Sequence, residues 1–293
     1  MVGDPQTLRR AGIALMVGSA LLFSTAGLFT KGVLANAWQV IFWRAFFSAI
    51  LTFGAIALRG HWRVEVTDMG RLGMMAAVVG ATGTAAFLSA FKLTSVANVA
   101  LIYAATPLVA ALLAWMFIRE VPARLMVVGA GFGIVGITII MGGSIGHINL
   151  SGDILALVMA LALAFLFVFY RARPDVPAAG PTALSSVLLL PVSAAFVSPL
   201  DVPLNEIAIL AAFGLVFALA SVMMFEAAKR LPSGQAGLLS TSETPFAMVL
   251  AWLILSEWPS TATWIGGALV MLGVILGGFA KGADQPGSDP SNT

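Results

Sequence analysis

The sequence predicts an all-α integral membrane protein of ten transmembrane helices, arranged as two inverted five-helix repeats. Three observations carry that prediction. Of the 293 residues, 60% are hydrophobic and only 10% charged; the apolar residues fall in ten long runs; and the fourth and ninth runs repeat one another in sequence. Soluble globular chains carry roughly a quarter charged residues. They also bury apolar side chains in alternating or striped patterns rather than in unbroken runs. The solvent for this chain is therefore lipid.

Charge and composition exclude several partners. A net charge of +2 does not supply the basic patch that neutralises several phosphates, so nucleic acid is not an expected partner. Cysteine is absent, which removes disulfides, iron–sulfur clusters and thiolate metal sites. His61 and His147 both fall in predicted loops, and neither a metal nor a cofactor is expected.

Runs long enough to cross a bilayer core, roughly 17 to 25 residues each, lie at Ala11–Thr30, Trp38–Leu58, Leu72–Phe91, Ser95–Ile118 and Leu125–Met141 in the first half. The second half supplies Ile154–Tyr170, Thr182–Leu200, Ile207–Ala228, Ser233–Leu255 and Thr261–Ala280. Arg9 and Arg10 imitate the start of a signal peptide, but nine further spans follow the first. Orientation follows from lysine and arginine, which cytoplasmic loops retain. With the N-terminus inside, twelve of the fifteen basic residues lie in inner loops or termini, Lys31 and Lys92 lie outside, and Arg44 sits within a span. Both termini are thus expected in the cytoplasm, in a plasma (inner) membrane. The expected divisions are residues 1–147, 148–281 and a disordered cytoplasmic tail at 282–293, rich in Gly, Pro, Ser and Asp.

The internal repeat is legible residue by residue. Thr106 to Pro122 reads TPLVAALLAWMFIREVP, and Thr244 to Pro259 reads TPFAMVLAWLILSEWP. Pro107 matches Pro245, Trp115 matches Trp252, Glu120 matches Glu257, and Pro122 matches Pro259. The correspondence continues through Gly129 with Gly266, Gly136 with Gly273, Phe87 with Phe225 and Ser95 with Ser233, always 137 or 138 residues apart. Five spans is an odd number, so the second copy enters the membrane in the opposite sense, as in the inverted repeats of secondary transporters.

These paired P…W…E signatures, the GDILAL run at Gly152–Leu157 and the glycine-containing fifth and tenth spans resemble the drug/metabolite transporter superfamily, specifically EamA-type ten-helix carriers. The resemblance covers nearly the whole chain. It implies a 5+5 transporter that exports amino acids or other small metabolites, with spans five and ten partly serving as scaffold; YddG-type exporters of aromatic and other neutral amino acids are similar.

Among the residues themselves, Pro107 and Pro245 each remove a helical N–H inside a span. A kink is expected at each, with the freed carbonyls of Tyr103 and Thr241 facing protein or a wet cavity, and with a gating role. Polar and aromatic candidates for a substrate cavity are Trp38, Trp43, Arg44, Asn98, Tyr103, Gln235, Ser242 and Glu243. Gln235 and Ser242, seven apart, share a face of a continuous helix. Arg44 and Glu243 are the deepest charges, and such groups are costly in lipid unless paired or solvated. They either pair with each other as a fixed bridge or hold a zwitterion's carboxylate and ammonium, and Glu243 could also carry a coupling proton. Glu226, with Lys229 and Arg230 three and four residues on, is expected to form an interfacial ion pair. The serines and threonines of spans one, three and nine mostly bond helix backbone.

Two motifs mislead. Gly131–Gly136 reads GFGIVG, a dinucleotide fingerprint, but inside an apolar span with no preceding soluble strand; Gly129 and Gly133 instead form a small-residue packing face. Asn149-Leu150-Ser151 is a glycosylation sequon on an outer loop. An intramembrane enzyme would need clustered His, Asp or Glu, a receptor an odd span count or a soluble domain, and direct ATP coupling a Walker motif. A secondary carrier exporting neutral or aromatic amino acids by alternating access is the leading expectation, with other metabolites, drugs or a channel-like facilitator as alternatives. The partners expected are a small-molecule substrate and the lipid bilayer, and a monomer suffices.

Overall fold

The computed structural model describes residues 4–94, 96–141, 149–196, 198, 201–256 and 258–279. His147, Ser95, Glu257, Ala280, Lys281 and the tail at 282–293 lie outside the described residues. No strand occurs among the described residues. The first repeat contains α1 (Pro5–Ser24), α2 (Ala26–Lys31), α3 (Ala37–Leu58), a π-helical turn (Arg63–Thr67), α4 (Gly70–Leu93), α5 (Val96–Ala104), α6 (Thr106–Ile118) and α7 (Arg124–Met141). The second contains α8 (Leu150–Ala172), α9 (Ala179–Ala194), α10 (Leu204–Ala228), α11 (Ser233–Ser240), α12 (Glu243–Leu255) and α13 (Thr261–Phe279).

Three helix pairs, α1–α2, α5–α6 and α11–α12, each continue as one crossing, which gives nine helices long and apolar enough to span a membrane among the described residues. The tenth, α9, is a shorter apolar helix of 16 residues. It starts at Ala179 and ends at Ala194, where the sequence suggests a span from Thr182 to Leu200. Pro191 withholds one helical N–H, and Ser193 Oγ donates back to the carbonyls of Leu189 and Leu190 at 2.9 and 3.1 Å.

The prolines act at the start of half-helices. The α5–α6 break falls at Ala105 and Pro107 is the second residue of α6; the α11–α12 break falls at Thr241 and Ser242, with Pro245 third in α12. Thr241 O, which Pro245 leaves without its α-helical donor, accepts from Thr244 N at 3.1 Å. The hydroxyls of Ser240, Thr241 and Ser242 each donate to a carbonyl three residues back at 2.7 Å. The hydroxyls thus satisfy carbonyls that lipid could not. A third break, at Thr25, has no proline; Thr25 Oγ1 and Ser24 Oγ bond the carbonyls of Leu22 and Leu21.

Symmetry between the repeats extends to backbone detail. Among the described residues, the non-glycine residues with positive φ are Arg119 (56°) and Ser256 (55°), the caps that end α6 and α12. They occupy equivalent positions of the two repeats. Helices α7 and α13 cross through glycines: a Cβ at Gly129 would lie 2.6 Å from the Gly273 carbonyl oxygen, and one at Gly136 would lie 2.5 Å from that of Gly266. Gly129 therefore meets the counterpart of Gly136, and Gly136 meets the counterpart of Gly129, as a two-fold axis in the membrane plane requires. The close packing falls on Gly129 and Gly136; a Cβ at Gly133 would meet nothing within 4 Å.

Large apolar side chains such as Leu112, Trp115, Phe117, Leu253 and Ile254 remain exposed, which suits lipid. The arginine-bearing loops gather at one end, here the basic end. There Glu120 accepts from Ser233 N at 2.7 Å and from Arg171 Nε at 3.0 Å, so the signature glutamate ties α6 to the starts and ends of two helices of the other repeat. Glu226 pairs with Lys229 at 2.6 Å and with Arg230 at 2.9 Å. The Arg173 guanidinium hydrogen-bonds Asp175 and holds that carboxyl below its usual range. At the other end the sequon asparagine caps α8, its side-chain oxygen accepting from Gly152 N and Ser151 Oγ at 3.3 and 2.7 Å.

Candidate functional site

Between the repeats lies a cavity of about 380 Å³, within the range of small-ligand sites. Its walls come from α1–α5 and α8–α12; α6, α7 and α13 contribute none of the lining. The first helices of the two repeats both face it, α1 and α2 through Ser19, Phe23 and Ala26 and α8 through Met159, Leu163 and Leu166. Phe87 and Phe225, matched in the sequence repeat, line it as well.

The wall is apolar and aromatic, with hydroxyls from Thr182, Ser185, Ser186 and Ser221, and with two ionisable side chains, Arg44 and Glu243. Arg44 stands on α3, whose start is fixed by a capping box: Asn36 Oδ1 accepts from Trp38 N and Gln39 N at 3.0 Å, and Gln39 Oε1 accepts from Asn36 N at 3.0 Å. Gly214 lets α10 approach; a Cβ there would sit 2.5 Å from Phe47 Cβ and 3.0 Å from the Arg44 carbonyl oxygen. That approach brings two rings against the guanidinium, with Arg44 Cζ 3.8 Å from the centroid of Phe217 and 5.8 Å from that of Phe213, a favourable cation–π geometry. Arg44 Nε and Nη2 are buried and have no hydrogen-bond partner among the described residues. Those two N–H groups form one edge of the guanidinium fork, the edge that matches a carboxylate bidentately.

Glu243 opens α12, where the positive end of a half-helix favours an anion. No ion pair within 4.0 Å joins it to Arg44 or to any other described cation. Tyr103 and Ser240 line the wall with it. The wall thus carries one basic and one acidic side chain that do not pair with each other.

Of the sequence candidates, Arg44, Tyr103 and Glu243 come together on this wall. The others stand elsewhere. Gln235 donates to the Gly277 carbonyl at 2.5 Å, tying α11 to α13. Ser242 is fully buried and bonds Leu239 O, because the break at Thr241–Ser242 removes the continuous face it was expected to share with Gln235. Asn98 joins Thr94 and Asp153 at the end opposite the basic one, its Nδ2 3.2 Å from Asp153 Oδ1. Trp38 stacks on Phe196 at 4.4 Å, and Trp43 sits among Phe42, Phe46 and Phe47. Pro107 is buried against Gly237, where a Cβ would lie 3.0 Å from Pro107 Cα, and Pro245 is buried at the start of α12. Sequence reasoning missed Phe213 and Phe217, which recur at helical spacing four apart, and the row Thr182, Ser185 and Ser186. That hydroxyl spacing on a single apolar helix was the available signal.

Comparison with known proteins agrees with this architecture. No match arises among curated protein sequences. A solved crystal structure shares the fold with a TM-score of 0.78 at 21% sequence identity, over 91% of this chain and 96% of that one. The family model for the EamA-like transporter family matches twice, at residues 10–142 and 150–278, once for each repeat. The chain is a membrane protein of the EamA-like transporter family.

Proposed function

We propose that the protein is a secondary carrier that exports neutral amino acids, aromatic or medium-sized apolar ones included, from the cytoplasm across the plasma membrane. The observation that carries this reading is that Arg44 and Glu243 line one cavity without pairing. A zwitterion supplies the missing partner to each: its carboxylate meets Arg44, its ammonium meets Glu243, and its side chain packs against Phe23, Phe87 or Phe217 by edge or face contacts. Tyr103 and Ser240 extend the polar side near Glu243.

Transport follows from the repeat. Two inverted halves of similar sequence can exchange conformations, which turns a cavity open to one face into one open to the other. The half-helix breaks before Pro107 and Pro245 put the bending points on either side of the cavity, while the α7–α13 glycine crossing stays as scaffold. Sugar phosphates carry more negative charge than the single Arg44 can balance.

Flux in proteoliposomes across a panel of amino acids, nucleobases, sugars and sugar phosphates tests the reading. Saturable flux of neutral amino acids with counter-transport is the expected outcome. Non-saturable flux without counter-transport would make the protein a channel, and sugar-phosphate exchange without amino-acid flux would sink the substrate assignment.

A further inference from the structure

Two carboxylates outside the cavity, at different positions of the two repeats, each hold backbone of the opposite repeat. Glu206, in the first turn of α10, is buried; its Oε1 accepts from Leu34 N at 2.9 Å and its Oε2 from Ala35 N at 3.1 Å. It therefore holds the stretch that joins the first and second spans of the other repeat. Glu65, in the π-helical turn ahead of α4, accepts from Gly180 N through Oε2 at 3.1 Å. In both cases an acid just before or at the third span of one repeat grips backbone at or just ahead of the start of the second span of the other. Neither takes part in an ion pair among the described residues, and the partners their carboxylates hold are backbone N–H groups.

Both grips adjoin the cavity wall. Ala35, Phe29 and Phe213 pack in one apolar cluster, and Phe213 lines the cavity. Gly180 precedes Pro181 and Thr182, which line it at the basic end. Gly180 must be glycine, because a Cβ there would collide with the Glu65 carbonyl. The grips differ in strength: Glu206 makes two charge-assisted bonds and is 5% exposed, whereas Glu65 makes one and is half-buried.

We propose that Glu206 and Glu65 are paired gate latches, Glu206 closing the end opposite the basic one and Glu65 closing the basic end, each released in turn as the repeats exchange conformation. The proposal rests on the carrier reading above. Charge-assisted bonds of this kind are stronger than neutral ones, so the two-bond latch holds its end shut more firmly. Release therefore begins at the basic end, where substrate loads.

The chain has no cysteine, so a Thr84→Cys probe in the cavity wall reports access without background. A membrane-impermeant maleimide is added to one side of oriented proteoliposomes. Glu206→Gln should speed labelling from its own side by about tenfold, the factor that corresponds to weakening one hydrogen bond to a charged group, and leave the basic side unchanged or slower. Glu65→Gln and Gly180→Ala should each speed labelling from the basic side alone. Parental rates from both sides in both glutamine variants overturn the latches. If Glu206→Gln does not fold, Ala35→Pro deletes one N–H donor and leaves the carboxylate; it has to show the same one-sided rise, and its absence is equally fatal. Labelling needs no substrate, so a one-sided rise with no amino-acid flux keeps the latches and removes the substrate reading, while flux with unchanged labelling does the reverse.

Discussion

Ser48 on α3 and Ser186 on α9 meet hydroxyl to hydroxyl at 3.2 Å across 138 residues of sequence. That separation is the repeat spacing, so each serine faces its own counterpart and the two-fold axis of the fold passes between them. In a chain without cysteine, Ser48→Cys with Ser186→Cys should form an intramolecular disulfide on mild oxidation, since the two side-chain ends already meet at 3.2 Å and a small shift brings two sulfurs to the bonded distance of about 2 Å. Thiol titration of the unfolded protein reads it. Two free thiols after oxidation would put the axis elsewhere.

Topology is the second expectation. The basic residues divide twelve to two between the faces, and cytoplasmic loops retain such residues. Reporters fused at Arg63, Arg173 and Lys281 should signal from the cytoplasm, and one at His147 from outside. A cytoplasmic signal at His147 would break the alternation of ten spans.

The glycine crossing of α7 with α13 gives a stability prediction that leaves the cavity untouched. Gly136→Leu forces a side chain into the Gly266 carbonyl and the Val270 side chain, whose Cγ2 already lies 2.8 Å from the position of a Cβ. Overpacking of this kind costs about 1–3 kcal/mol. Thermal unfolding in detergent should shift downward, while Gly131→Leu, with nothing within 4 Å of its Cβ, should leave it near the parent. Equal shifts for the two would deny the crossing its special role.

Hydropathy and the repeat made the architecture legible, because both depend on sequence periodicity that survives insertion into a membrane. The site was legible only where a residue type is rare in lipid: Arg44 and Glu243 stood out because their charge is out of place there. Phe213 and Phe217 did not, since an aromatic ring facing a cavity and one facing lipid look alike in a wholly apolar run. Gln235 and Ser242 misled for a different reason. Their spacing implies a shared face only on an unbroken helix, and the turn at Thr241–Ser242 separates them. Glu206 carried no local signal at all, because its partners at Leu34 and Ala35 are backbone groups far away in sequence.

The last prediction separates the two charges of the cavity by the chemical group each is proposed to hold. Arg44→Lys keeps a positive charge but loses the planar fork and the stacking on Phe217, so it presents a point charge where the parent presents a bidentate edge. Glu243→Gln keeps the shape and removes the anion. Transport of a neutral amino acid should fall in both variants, by roughly tenfold to a hundredfold for loss of a charge-assisted contact of about 1.5–3 kcal/mol. The discriminating measurement is competition by two analogues of that amino acid, one lacking the carboxylate and one lacking the amine. In the parent both should compete poorly. In Arg44→Lys the penalty for lacking the carboxylate should shrink while the penalty for lacking the amine stays; in Glu243→Gln the pattern should reverse. A variant that weakens every ligand equally has lost packing rather than a partner, and if both variants behave so, Arg44 and Glu243 are not the two ends of a zwitterion site.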